Sequence, residues 1–181
     1  MSKNWKGYLA MKLCCPAYKS DEPDPYKMQI FKALHEQIRL QYRQKMKNEG
    51  YFIIETEMPI ENGVVRGKID DVFQSMGGEV IVVDYVSSII PKMYKHIDAA
   101  ISTGFCRHEL DIAASARVVS RGGVETELPD ELVEDTWAMT MSEDFQDTLS
   151  LSEAELLEYA NPASDICWYC ANSECQWKPK S

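Results

Sequence analysis

Between residues 25 and 48 the apolar side chains Met28, Phe31, Leu34, Ile38 and Tyr42 recur at helical spacing, and Gly50 follows as a stop. The stripe predicts a long amphipathic helix, with His35 near the edge of its buried face. The period then changes to that of strands. "YFIIETEMPI" (51–60) is rich in strand formers, "ENG" (61–63) supplies a turn, and "VVRGKIDDVF" (64–73) is a second strand. "SMGG" reverses the chain into "EVIVVDYV" (79–86), which completes a three-stranded meander. The unbroken run Val80 to Val83 places this last strand at the sheet centre, covered on both faces. After Pro91, "KMYKHIDAAISTGF" reads as a helix crossing that sheet, and "ELDIAASARVVS" with "GGVETELP" as a further hairpin. "SEAELLEYA" (152–160) opens with the Ser-x-x-Glu capping box of a short helix.

With 181 residues, 45% of them hydrophobic, the chain can bury one substantial core, so a single α/β domain spanning 1–181 is expected. No stretch approaches the roughly 20 apolar residues of a membrane span, and "MSKNWKGYLAMK" lacks the apolar centre of an export signal. The expectation is a cytoplasmic protein without membrane contact, or one in the host cytoplasm if the source is viral.

The net charge of −10 is unevenly placed: residues 1–121 carry 17 Lys/Arg against 15 Asp/Glu, while 122–177 carry 14 acids and no Lys or Arg. A nucleic acid would therefore approach the first part, because the second repels phosphate. The acidic part either keeps the protein dissolved or meets a basic protein partner.

Two acids stand out in the central strands. Side chains two apart on a strand share a face, so Asp84 and residue 86 do so, and Asp70 lies in the neighbouring strand. An Asp/Glu-x-Lys strand end is nuclease chemistry: the acid binds Mg²⁺ or Mn²⁺ and the ammonium beside it polarises a phosphate or orients water. Here the lysine position is Val86. Lys68, two residues before Asp70, and Lys92 or Lys95 on the next helix are candidate replacements, and His35 a candidate further metal ligand. The plainer readings are a packed helix histidine for His35 and a solvated strand end for Asp70 and Asp71. Asp84, after four apolar residues, needs a charge or hydrogen-bond partner in either case.

Six cysteines without an export signal point to metal or redox use rather than disulfides. Cys14 and Cys15 lie near the start, and Cys167, Cys170 and Cys175 near the end. Four thiolates suit either Zn²⁺ or an iron-sulfur cluster. Cys106 reads as a buried thiol, and Trp168, Tyr169 and Trp177 as shields for the terminal cysteines or as packing at the chain end.

A helix with a His, then Gly67-Lys68-Ile69-Asp70, then a hydrophobic strand ending Asp84-Tyr85, with Cys15-Pro16 near the start and Cys167-x-x-Cys170 plus Cys175 near the end, resembles the PD-(D/E)XK nucleases of the RecB type. Small CRISPR-associated and viral exonucleases of that type carry an iron-sulfur cluster. The resemblance implies a restriction-endonuclease-like core (about 22–160), a central mixed β-sheet flanked by helices. It also implies cluster-binding segments at 14–16 and 167–175 that join the termini. It further implies a divalent-metal DNA exonuclease with His35, Asp70 and Asp84 as ligands, and a 4Fe-4S cluster on Cys15, Cys167, Cys170 and Cys175.

The chain departs from that pattern at three places. Val86 holds the lysine position, Asp98, Ala99 and Ala100 stand where a Gln and a Tyr are usual, and four residues rather than five separate the last two cysteines. Two functions are therefore expected in parallel: an exonuclease acting at DNA ends with Asp70, Asp84 and a replacement Lys68 as its catalytic residues, or a degenerate nuclease fold kept as a nucleic-acid-binding, protein-binding or structural module.

Overall fold

The computed structural model describes residues 5–20, 24–161, 165–167 and 170–177. It begins with helix α1 (Lys6–Cys14), an element the hydrophobic pattern does not announce, and continues with α2 (Pro25–Asn48). Asp24 starts α2 by accepting from the Tyr26 and Lys27 amides, with Pro25 in the first turn. Gly50, at φ +87°, ends it in a conformation that costs glycine least.

Strands β1 (Tyr51–Glu61), β2 (Arg66–Ser75) and β3 (Val80–Val86) form the expected antiparallel meander. Helix α3 (Met93–Glu109) then crosses to β4 (Ala114–Ser120), which lies parallel to β3, and β5 (Glu125–Leu128) pairs antiparallel with β4. The five strands stand in chain order, so β3 is the centre of a mixed sheet. Helices α4 (Asp130–Met141), α5 (Glu143–Leu149) and α6 (Glu153–Leu156) follow. The expected capping box of Ser152 and Glu155 opens α6.

Every residue of β3 is buried, and its alternation divides the core. Ile81, Val83 and Tyr85 pack with Ile38, Tyr42 and Met46 of α2. Val80 and Val82 face the other way, into a cluster with Leu9 and Ala10 of α1, Ile101 and Phe105 of α3, and Trp137 of α4. Val86 joins that side beside Ala99, Ala100 and Val118, which explains the apolar residue in purely structural terms. The domain is thus an α/β structure with helices on both faces of the sheet.

On the α2 side, the fully buried Asp71 is satisfied from three elements. Arg43 Nε donates to it at 2.8 Å and Arg43 Nη2 at 2.5 Å, Thr56 Oγ1 at 2.9 Å and Tyr85 Oη at 2.7 Å. A carboxylate taken wholly out of water is tolerated only with such compensation, so Asp71 is a tie between α2 and the sheet and not the solvated strand end that its sequence also allowed.

Trp168 and Tyr169 lie outside the described residues, while Trp177 is half exposed. Among the described residues no helix is long and apolar enough to cross a membrane.

Gly104 of α3 lets Trp137 approach so closely that an added Cβ would sit 2.9 Å from two of its carbons. We expect Gly104→Ala to lower stability by about 1–3 kcal/mol through overpacking. Urea unfolding measures this, and an unchanged midpoint would contradict the packing described.

Candidate functional site

The antiparallel ladder of β2 and β3 stops at Asp71 opposite Val83. One step further the register would set Asp70 opposite Asp84, so both side chains leave the sheet on one face where the strands part. The Asp70 carboxylate fills the gap: its Oδ2 accepts from the Tyr85 amide at 3.0 Å and lies 3.0 Å from His35 Nε2. His35 reaches it from α2, and its ring meets that of Tyr85 edge-on at 5.7 Å. The three expected metal ligands are therefore brought to one place, lining a cavity of about 210 Å³ together with Trp5, Lys6, Lys68, Tyr85, Lys95 and Asp98.

The ammonium in closest contact with Asp84 comes from an unexpected element. Lys6, the first residue of α1, is buried and places its Nζ 3.1 and 3.2 Å from the two Asp84 oxygens, 2.8 Å from Ser102 Oγ and 3.5 Å from Asp98 Oδ1. Gly67 makes the passage, since a Cβ there would stand 2.7 Å from Lys6 Cγ. Of the candidate replacements, Lys95 lines the cavity with its Nζ 3.9 Å from Asp98 Oδ2. Lys68 also lines it, but its Nζ turns to Glu57 at 3.4 Å and its side chain is half exposed. Lys92 lies on a neighbouring groove.

Three carboxylates thus share two ammonium groups and one imidazole. Burial disfavours the Lys6 ammonium, yet Asp84, Asp98 and Asp70 outweigh it and raise its pKa. Burial also pushes the Asp84 carboxyl up, to about 7, with Lys6 opposing and Asp98 and Asp70 reinforcing the rise. Asp70 goes the other way: burial would raise it, but the His35 hydrogen bond, the Lys6 charge and the Tyr85 amide hold it below the usual carboxylate range. Asp98 Oδ1 is buried and, among the described residues, has no hydrogen-bond partner.

In charge and donor type the carboxylates fit a hard divalent cation. Among the described residues, however, no group of three or more His, Cys, Asp or Glu is arranged to hold a metal ion. Lys6 lies where Asp84 and Asp98 converge.

Cys15, Cys167, Cys170 and Cys175 line one small cavity of about 10 Å³ with Tyr18, Ala160 and Ile166. The Asn161 amide donates to Cys15 Sγ at 3.4 Å and the Lys19 amide to Cys170 Sγ at 3.4 Å. Burial raises the Cys167 thiol, and the other three cysteines add to the rise, as expected where thiols crowd one space. In donor type the four cysteines, with amides aimed at two of the sulfurs, match a cysteine-held metal centre, but the space among them is that of a single water and, among the described residues, they are not arranged around a metal. Cys14 is buried outside this cavity, with burial pushing its thiol up to about 12, and Cys106 is the expected buried thiol.

A larger groove of about 970 Å³ shares His35, Tyr85 and Lys95 with the acid cavity and Tyr18 and Ile166 with the cysteine cavity. Its walls combine aromatic rings, Phe31 and Tyr94 among them, with Lys32, Lys92 and Lys95 and the acids Glu36 and Glu57. The expected roles of Asp70, Asp84 and His35 pointed to the acid cavity. Lys6 and Asp98 were missed there: Lys6 sits in a segment without periodic signal, and Asp98 looked like a replacement for a familiar residue. No family model matches the chain, and no curated protein is similar enough to match it.

Replacing Lys6 by Met would leave Asp84 without its ion-pair partner and Asp98 with Lys95 alone. We expect a loss of about 3–5 kcal/mol, read in urea unfolding. Mn²⁺ should raise the unfolding midpoint of the variant more than that of the unaltered protein, because the ion then supplies the missing charge. Equal response of the two proteins to Mn²⁺ would remove the carboxylates as a cation site.

Proposed function

We propose that the chain is a RecB-like nuclease-fold protein with a rebuilt active site, binding and processing nucleic-acid ends, with DNA the expected substrate, in a metal-dependent way. One observation carries this reading: Asp70, Asp84 and His35 meet in a cavity whose wall continues into a groove of aromatic and lysine side chains. Such walls suit single strands, since rings stack on any base and ammonium groups follow the phosphates. The resemblance of the cysteine and acid motifs to cluster-bearing exonucleases supports it from the sequence side.

In this reading His35 orients Asp70, and the end of the β2–β3 ladder sets both acids at the acid cavity. Lys6 supplies the positive charge that Val86 cannot. Phe31 and Tyr94 stack bases while Lys32 and Lys92 hold phosphates. Mg²⁺ or Mn²⁺, when bound by Asp70, Asp84 and His35, would supply Lewis-acid activation of a phosphate and of water. A 4Fe-4S cluster, with Zn²⁺ as the alternative, would be held by Cys15, Cys167, Cys170 and Cys175 and join the two ends of the chain. Removing one charge-stabilising group typically costs about 10²–10³ in rate, so a Lys6 that fails to replace the lost lysine leaves binding without turnover.

A second reading, a protein-interaction module, draws on the 14 acids and absence of Lys or Arg between residues 122 and 177. Anisotropy with a fluorescent single-stranded oligonucleotide separates the two. Lys32→Ala with Lys92→Ala should weaken binding and flatten its salt dependence by about two phosphate contacts. Tyr94→Ala should cost about 1–3 kcal/mol. Cleavage with Mn²⁺ is assayed beside Asp84→Ala. Absence of salt-dependent binding, with cleavage equal in both proteins, would abandon the nucleic-acid reading for the protein-binding one.

A further inference from the structure

Helix α1 links two sites. Its first residue, Lys6, enters the acid cavity, and Cys15, which caps its other end, lines the cysteine cavity. Nine residues at about 1.5 Å each make a rod of roughly 13 Å, too short and too regular to absorb a displacement at one end.

Each end is tied to a different part of the chain. At the Lys6 end the ties are Asp84 of β3, Ser102 and Asp98 of α3, and the slot left by Gly67 of β2. At the Cys15 end, Asn161 donates to Cys15 Sγ through its amide and to the Cys14 carbonyl at 3.0 Å through its side chain. The following residues are stitched to the C-terminal segment, with the Ala171 amide donating to the Lys19 carbonyl at 2.8 Å and Asn172 Nδ2 to the Ala17 carbonyl at 3.2 Å.

We infer that α1 is a coupling rod: the integrity of the four-cysteine cavity holds Lys6 on Asp84 and Asp98, so the state of the cysteines controls whether the acid cavity contains its own cation. Cys15 is on this account a positioning residue, acting through Lys6, and the inference stands whether or not the protein binds nucleic acid. The energetic logic is that a buried ammonium between two carboxylates persists only while its backbone is fixed. Four of the ties that fix it lie in the 14–19 segment facing residues 161–172. Coupling of this kind is reciprocal, which gives the test two independent arms.

The full chain, prepared anaerobically, is treated with an acetylating reagent at constant pH, and Lys6 modification is compared by peptide mass spectrometry with that of the exposed Lys27. In Cys15→Ser, Lys6 should react about tenfold faster relative to Lys27, as expected when a local opening replaces a closed site. Hydrogen exchange of the β3 amides on the same samples reports whether the core stays folded. In the second arm, Lys6→Met should raise the alkylation rate of Cys15 by iodoacetamide several-fold, with Cys106 as the internal reference. Unchanged Lys6 reactivity in Cys15→Ser with β3 still protected overturns the inference. So does unchanged Cys15 alkylation in Lys6→Met, which decides the matter if Cys15→Ser loses its core.

Discussion

The structure depends on the placement of one ammonium group. Lys6 Nζ sits between Asp84 and Asp98 in a space from which water is largely removed, and either carboxylate without it would carry a desolvation penalty larger than most single packing contacts. Four elements must arrive together to make that arrangement: α1 brings the cation, β3 and α3 the acids, and β2 the glycine slot. Hydrophobic burial would tolerate small shifts among these elements. A buried charge cluster tolerates few, so it sets their relative position more narrowly than Leu9 and Ala10 alone would.

The same strand carries two charge clusters of different character on its two faces. Asp71, paired by register with Val83, is closed off by Arg43, Thr56 and Tyr85, and its hydrogen bonds are filled from within the fold. Asp70 is one residue further, where the ladder has ended, and it stands at a cavity with Asp84. Period-two alternation makes adjacent acids belong to opposite faces. One is enclosed between α2 and the sheet, and the other lines a cavity. Tyr85 serves both, its hydroxyl on Asp71 and its amide on Asp70.

The acid cavity, the groove and the cysteine cavity form a connected series through shared residues, His35, Tyr85 and Lys95 at one junction and Tyr18 and Ile166 at the other. A carboxylate pair alone is compatible with a structural ion cluster, and a cysteine set alone with a staple. Here the two sit at opposite junctions of one groove with aromatic and lysine walls.

The amino-acid pattern by itself determined the meander, the central position of β3, the long helix 25–48 and the capping box at Ser152, because each rests on local periodicity or local hydrogen bonding. Strand alternation also brought out Asp70 and Asp84, with His35 as a candidate beside them, while the set Cys15, Cys167, Cys170 and Cys175 came from the resemblance of their motifs. Helix α1 stayed invisible: "KGYLAMKLC" has one buried lysine at its start and another among its apolar residues, so no clean stripe distinguishes a face. α4 and α5 were hidden by their acidic residues. Lys68 was favoured over Lys6 because nearness along the chain is the one kind of nearness a sequence displays. That Lys6 reaches Asp84 across 78 positions, and that Val86 is core while Asp70 is not, was decided by tertiary packing. Burial and charge compensation act between residues that only the folded chain brings together.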